Sequence, residues 1–349
     1  MADPFDAFLL LSFGGPEGPD DVMPFLHNVT RGRGVPQERL EEVAEHYERS
    51  GGVSPINARN RELLAALRAD LRAHDIELPV YWGNRNWHPY VAEAVRAMRD
   101  DGVRRALVLT TSATGGYSSC RQYREDMAQA RMVAGDGAPE LVKLRHFFDH
   151  PGFVAANVDG ARAALQSLPA SERDGARLVF TAHSVPVTMN DSSGTAFLPA
   201  GGLYERQQHE TARLVATLLR GPGAEFDLVW QSRSGPAGVP WLEPDVNDHL
   251  RALAGRGVTA VVVCPTGFVA DHVEVLWDLD TEARATAAEL GMHFARASAA
   301  NAHPAFVAAI RELILEQLRG EAPRTVGSLG VCGFQCPQYC CPPPARHPA

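Results

Sequence analysis

Short apolar runs alternate with amphipathic stretches along almost the entire chain, and no other feature limits the possible folds so strongly. Residues 7–13, 78–82, 105–110, 177–182, 226–231, 260–265 and 292–296 read as strands. Between them, 59–74, 89–100, 153–167, 204–220, 273–290 and 304–319 read as helices. A strand that is apolar at every position needs cover on both faces, and helices between such strands supply it in a parallel sheet. The pattern runs through twice, with a break at Asp149-His150-Pro151-Gly152. The expected organisation is therefore two α/β domains with parallel sheets, residues 1–149 and 150–325, and a Cys/Pro-rich tail, 326–349. Ligands of such sheets bind beyond the carboxyl ends of the strands, so the chemistry is sought there.

At 349 residues the chain is long enough for two domains of ordinary size. No apolar run is long enough to span a membrane, and the start, Met-Ala-Asp-Pro-Phe-Asp, lacks a basic leader region. The net charge of −9 argues against a nucleic-acid partner. Lys143 is the one lysine, so an anion held by a side-chain cation here is held by a forked guanidinium. These features set the expectation of a cytoplasmic protein with no stable membrane insertion.

The first strand is followed by Gly14-Gly15-Pro16-Glu17-Gly18-Pro19, which is not GxGxxG and gives a dinucleotide site little support. It is open to two readings, a plain strand-to-helix turn or a loop lining a ligand cleft. The strand 177–182 runs into His183-Ser184-Val185-Pro186, placing an imidazole at the rim where ligands bind. Such a group can bind a metal or carry a proton near neutral pH, though a hydrogen-bonded structural histidine is the blander alternative. The strand 260–265 leads through Asp271-His272-Val273-Glu274 into a helix on which Glu274, Asp278 and Glu282 recur every four residues. Like charges at that spacing repel by a few tenths of a kcal/mol per pair, which a passing cation or bound protons relieve. A solvated acidic face is the alternative. If this row and His183 meet at one cleft, they make a histidine–carboxylate station suited to holding Fe(II) loosely. Arg31 and Arg33 could pair with substrate carboxylates or simply solubilise a loop. The segment Asn84-Arg85-Asn86-Trp87-His88-Pro89, with Trp82, Tyr117 and Tyr123, offers aromatic faces for a flat cleft or for the core.

Four of the six cysteines fall in the last eighteen residues, as Cys332, Cys336, Cys340 and Cys341. A tail so rich in Pro and Cys cannot bury a core. Soft thiolates this close suit an iron–sulfur cluster or zinc, although the paired C-x2-C of zinc ribbons is missing. Disulfides, or a disordered tail with redox-active thiols, are the other readings.

Taken together, the segments Leu9–Glu17, Gly51–Asn57, Thr181–Pro186, Trp230–Gly235 and Gly267–Glu274 resemble the ferrochelatase family, over about residues 6 to 320. The resemblance implies a chelatase fold of two Rossmann-like domains, and insertion of Fe(II), the metal substrate, into a porphyrin without an organic cofactor. By position it implies that His183 and Glu274 bind iron and accept protons, with His272 beside them, and that Asp278 and Glu282 relay metal or protons. Ser54 and Tyr123 fall where bacterial members contact propionates, and Arg31 joins them as a substrate-binding candidate. Phe13 stands where some bacterial relatives carry a tyrosine that ligates product iron. The resemblance also implies a [2Fe–2S] cluster held by three tail cysteines and one internal one. Cys120 is the internal candidate, Cys264 reads as core, and the choice between Cys340 and Cys341 stays open. The expected substrate is coproporphyrin III, giving coproheme, with transient contact to neighbouring haem-pathway enzymes. Protoporphyrin IX, a cobalt or nickel chelatase, and a porphyrin carrier with a sensing cluster are the alternatives.

Overall fold

The computed structural model of the chain describes residues 5–32, 34–235, 238–333, 336–337 and 339–343, so Arg33 lies outside the described residues. The chain divides into two compact units. One comprises Met1–Thr111, Tyr123–Leu144 and Ala270–Trp277, and the other Ser112–Gln122, Arg145–Val269 and Asp278–Ala349.

In the first unit, β1 (Ala7–Ser12), β2 (Val80–Asn84), β3 (Arg105–Thr110) and β4 (Glu140–Lys143) form an all-parallel sheet in the order β2-β1-β3-β4. Every residue of β1 is buried, as its unbroken apolar run requires. Ala7, Leu9 and Leu11 pack on one face with Val91, Val95 and Met98 of the helix Val91–Asp100 and with Met127 of Gln122–Ala134. Burial of each such large side chain stabilises the fold by about 1.5–3 kcal/mol.

The second unit repeats the design. Its strands β5 (Arg177–His183), β6 (Asp227–Gln231), β7 (Ala260–Cys264) and β8 (His293–Arg296) are parallel in the order β6-β5-β7-β8. In each sheet the strand order reverses beside the first strand, between β1 and β3 and between β5 and β7. That reversal opens a crevice at the carboxyl ends of these strands.

The structure departs from the sequence reading at two places, one element missed and one expectation corrected. The short edge strand β4 was not foreseen, because Glu140-Leu141-Val142-Lys143 has only two apolar residues. The single helix expected over 273–290 is instead an α-turn at Val273–Val275, a π-helix at Leu276–Ala283 and an α-helix at Arg284–Glu289. Val275, Leu279, Ala283 and Ala287 are all fully buried and recur every four residues. A four-residue repeat drifts around an α-helix of 3.6 residues per turn. The wider i→i+5 turn counters that drift and keeps the buried stripe straight. The acidic row has the same period, so the same winding keeps Asp278 and Glu282 aligned.

His150 caps the helix Pro151–Ser167, its Nδ1 accepting the Gly152 N–H at 3.2 Å. The neutral ring therefore carries its proton on Nε2, 3.3 Å from Glu312 Oε2. Burial, then the charges of Arg145 and Arg324, hold its pKa down to about 3. An unfolded histidine titrates near ~6.5, so between these values only the unfolded chain binds the proton and stability falls as pH drops below ~6.5. Neighbouring Asp149, pushed up to about 6 by burial, works in the opposite sense below that pH, since the folded state takes up its proton first. His150→Asn keeps a capping oxygen and removes one titration. Denaturant unfolding is expected to show the wild type losing about 2 kcal/mol more than H150N between pH 7.5 and pH 5.

Candidate active site and cysteine cluster

In the second unit, the apolar run Leu178-Val179-Phe180 drives β5 through the core and delivers His183 half-buried at its carboxyl end. The chain is pinned as it leaves the sheet. Ser184 N–H donates to the Gln231 carbonyl and Ser184 Oγ to the Leu242 carbonyl, each at 2.8 Å. The His183 Nδ1–H donates to the Ser184 carbonyl at 2.5 Å, which places the imidazole lone pair on Nε2. The buried Tyr204 hydroxyl donates to the His183 carbonyl at 2.8 Å. After β7, Gly267 N–H donates to the Thr181 carbonyl at 3.0 Å. A Cβ on Gly267 would lie 2.4 Å from that of Ala182, so only glycine lets this loop close over the end of β5. At the end of β6, Gln231 Nε2 donates to Asp278 Oδ2 at 3.1 Å and the Ser232 hydroxyl donates to the same oxygen. Ser232 adopts a φ of 62°, a left-handed backbone that a non-glycine residue keeps only under local constraint. Glu282 lies exposed further along the π-helix.

In the first unit, Glu274 is half-buried on the segment that returns to this unit, next to the helix Gln37–Glu48. Trp277 stacks on the His46 ring at 3.9 Å with 9° between planes, and the Arg49 guanidinium lies 4.9 Å from its centroid. Tyr47 is half-buried, and desolvation and then the charge of Glu274 raise its phenol pKa. The loop after β1 exposes Phe13, and the buried Ser54 N–H donates to the Pro16 carbonyl at 2.8 Å. Phe13 and the buried Tyr123 flank one cation, Arg85, which the sequence named only as part of the segment 84–89 and with no role of its own. The Arg85 guanidinium lies 4.5 Å from the Tyr123 ring and 5.9 Å from that of Phe13, with its Nε 2.5 Å from Asp126 Oδ2. Burial raises the Asp126 carboxyl pKa despite this pairing. The only sequence signal for Arg85 was its place directly after β2. Arg31 is exposed on the turn following the helix Pro19–Val29, where its charge is felt by Tyr90.

The cysteines gather in the second unit. Cys120, Cys332, Cys340 and Cys341 are buried and Cys336 is half-buried. The sulfurs of Cys340 and Cys341 are 3.8 Å apart, and Cys341 Sγ accepts the Gly194 N–H at 3.2 Å. Cys340 interacts with Cys336 and Cys341, and Cys120 lies close enough to Cys332 and Cys341 to affect both electrostatically. Among the described residues, no three His, Cys, Asp or Glu side chains form a ready coordination shell. Cys264 stands apart, ending β7 in the core with its thiol pushed up to about 12 by burial.

A family model for ferrochelatase matches residues 5–318, nine-tenths of the chain. The chain belongs to the ferrochelatase family. Among its relatives, the coproporphyrin III ferrochelatase of Nocardia farcinica is 58% identical over 348 residues, 98% of this chain and 97% of the relative. That of Streptomyces coelicolor is 53% identical over 100% of this chain and 96% of its own. Among solved structures, SirB from Bacillus subtilis with Fe3+ aligns with a TM-score of 0.51 at 14% identity, covering 90% of this chain and 96% of its own. A multi-domain Deinococcus radiodurans protein described as similar to chelatases aligns at 0.52 and 16% identity, covering 93% of this chain and 57% of its own. At such identities these two establish the chelatase-like fold alone. No helix among the described residues of this ferrochelatase-family chain is long and apolar enough to cross a membrane.

Proposed function

We infer that this chain inserts Fe(II) into coproporphyrin III, giving coproheme for haem biosynthesis. One observation carries the reading above others. A relative named for that activity shares 58% of aligned positions along nearly the full length of both chains. The chemical task is to remove two pyrrole protons while a dication enters a flat ring. His183 is assigned as the proton acceptor, since its Nδ1–H bond to Ser184 leaves the basic lone pair on Nε2. By the family resemblance Glu274 is assigned a carboxylate role in iron binding and proton acceptance, and Asp278 and Glu282 the relay of protons or metal along the π-helix. Ser54, Tyr123, Phe13 and Arg31 are assigned to the porphyrin. Arg85, which holds Tyr123 and Phe13 by their ring faces, positions the latter two.

The tail thiols suit the [2Fe–2S] cluster that the family resemblance implies. They are soft donors, and the Gly194 N–H donates to Cys341 Sγ at 3.2 Å, which favours a charged thiolate there. Four of Cys120, Cys332, Cys336, Cys340 and Cys341 would hold it. When bound, such a cluster supplies one-electron redox chemistry and ties the tail to the fold.

The substrate assignment is tested by supplying anaerobic protein and Fe(II) with coproporphyrin III and protoporphyrin IX in equal amounts. Preferential consumption of coproporphyrin is expected, by a factor of at least ten. Equal or reversed preference overturns the substrate, and tight porphyrin binding with no insertion overturns the enzyme in favour of a carrier.

A further inference from the structure

We propose that Gln207 is the positioning residue of the cysteine cluster: it holds Cys332 against the loop that leads to Cys120, and donates a hydrogen bond that raises the reduction potential of the bound iron–sulfur group. The proposal rests on the cluster assignment made above.

Gln207 lies on the helix Leu203–Arg220 and is fully buried. Its Oε1 accepts the Gly115 N–H at 2.6 Å. A backbone N–H can be met only by the oxygen end of the amide, so the orientation of the side chain is determined. The NH2 end then faces Cys332 Sγ at 3.0 Å and His146 Nδ1 at 3.3 Å. His146 closes the other side, its N–H donating to the Cys332 carbonyl at 3.1 Å and its Nδ1 lying 3.5 Å from Cys332 Sγ.

The seat is built to close tolerances. A Cβ on Gly115 would fall 2.8 Å from His146 Cε1, and one on Gly333 would fall 2.4 Å from His146 Cδ2. Two glycines, one before the internal cysteine and one after the first tail cysteine, therefore admit the same imidazole. Segments far apart in sequence meet around one buried amide. Such an amide is costly to bury unless both of its ends are satisfied. Here one end is satisfied by the loop and the other by the thiol.

Hydrogen bonds to cluster sulfurs are among the features that set reduction potential. An N–H donor stabilises the reduced cluster more than the oxidised one, because reduction by one electron adds a negative charge that the sulfurs share. Loss of the donor therefore lowers the potential. No bond to the protein is made or broken in this step, and the electron comes from an added reductant such as dithionite.

The test uses full-length protein purified anaerobically or reconstituted with iron and sulfide, titrated with dithionite and followed by visible absorption and EPR. Gln207→Leu keeps the volume and removes both polar ends. Its one-electron reduction is expected to be about tenfold less favourable than that of the wild type, a fall of about 59 mV, with faster bleaching in air. Gln207→Asn, too short to reach both Gly115 and Cys332, is expected to shift the potential in the same direction and decides the matter if the leucine variant folds poorly. Wild-type protein with no cluster signal overturns the cluster assignment itself. A cluster whose potential and retention are unchanged in the folded variants overturns the role of Gln207 and leaves the assignment standing.

Discussion

Replacing His183 with alanine is expected to lower kcat by about a hundredfold or more while leaving the dissociation constant for coproporphyrin III within a few-fold of wild type. The expectation follows from how β5 presents the ring. The strand's middle, Leu178-Val179-Phe180, is apolar and buried, and the backbone beyond its end is tied down by Ser184, Gln231 and Leu242. The imidazole thus arrives on a rigid support with its tautomer already chosen by the Ser184 carbonyl. Removing it deletes a proton acceptor and hardly any binding surface, so kcat falls and porphyrin affinity does not. Turnover in the wild type should also decline toward acid pH, because an imidazolium has no lone pair to offer. Fluorescence titration with coproporphyrin, beside Soret-monitored turnover, separates the two effects. An H183A protein that binds normally and turns over at the wild-type rate would remove His183 from the mechanism.

The largest effect on stability is expected at Arg145, which is 2% exposed. Its guanidinium makes a two-pronged pair with Glu316, Nε to Oε2 and Nη2 to Oε1, both at 2.8 Å. The same group donates to the carbonyls of His146 at 3.0 Å and Arg324 at 2.9 Å. Arg145→Met would leave the Glu316 carboxylate buried without its counter-charge and two carbonyls without a donor. The cost is about 3–5 kcal/mol, read from denaturant midpoints. The double variant R145M/E316M should recover much of this, because burying no charge is cheaper than burying one alone. A single variant that loses less than about 1 kcal/mol would show that Glu316 relaxes into solvent and that the pair is not structural.

Both predictions depend on features that differ in how visible they were in the sequence. The strands β1, β3, β5 and β7 could be read because each carries a continuous apolar stretch at its centre, as a central parallel strand requires. His183 was legible for the same reason, as the first polar group able to do chemistry after such a run. The helix Gln37–Glu48 was not, since it buries only Leu40 and Ala44, and a mostly polar twelve-residue stretch carries little periodic signal. Yet that helix supplies His46 and Tyr47 beside the Glu274 segment. The apolar residues at every fourth position from Val275 to Ala287 read as one face of a helix, and the sequence did not distinguish the π-helix from an α-helix there. Arg85 and Gln207 left almost none. Each acts through partners brought from elsewhere in the chain: Tyr123 and Asp126 for the first, Gly115 and Cys332 for the second. Pairings of that range are set by topology, so a local pattern cannot announce them.

The most direct measurement is a single turnover under anaerobic conditions. Protein, Fe(II) and coproporphyrin III are mixed in weakly buffered solution, with the Soret band and an indicator of proton release followed together. The account predicts rapid conversion to the iron porphyrin with two protons released for each iron inserted, far faster than in a control without protein. A porphyrin that binds and stays metal-free, or conversion no faster than the control, would contradict it.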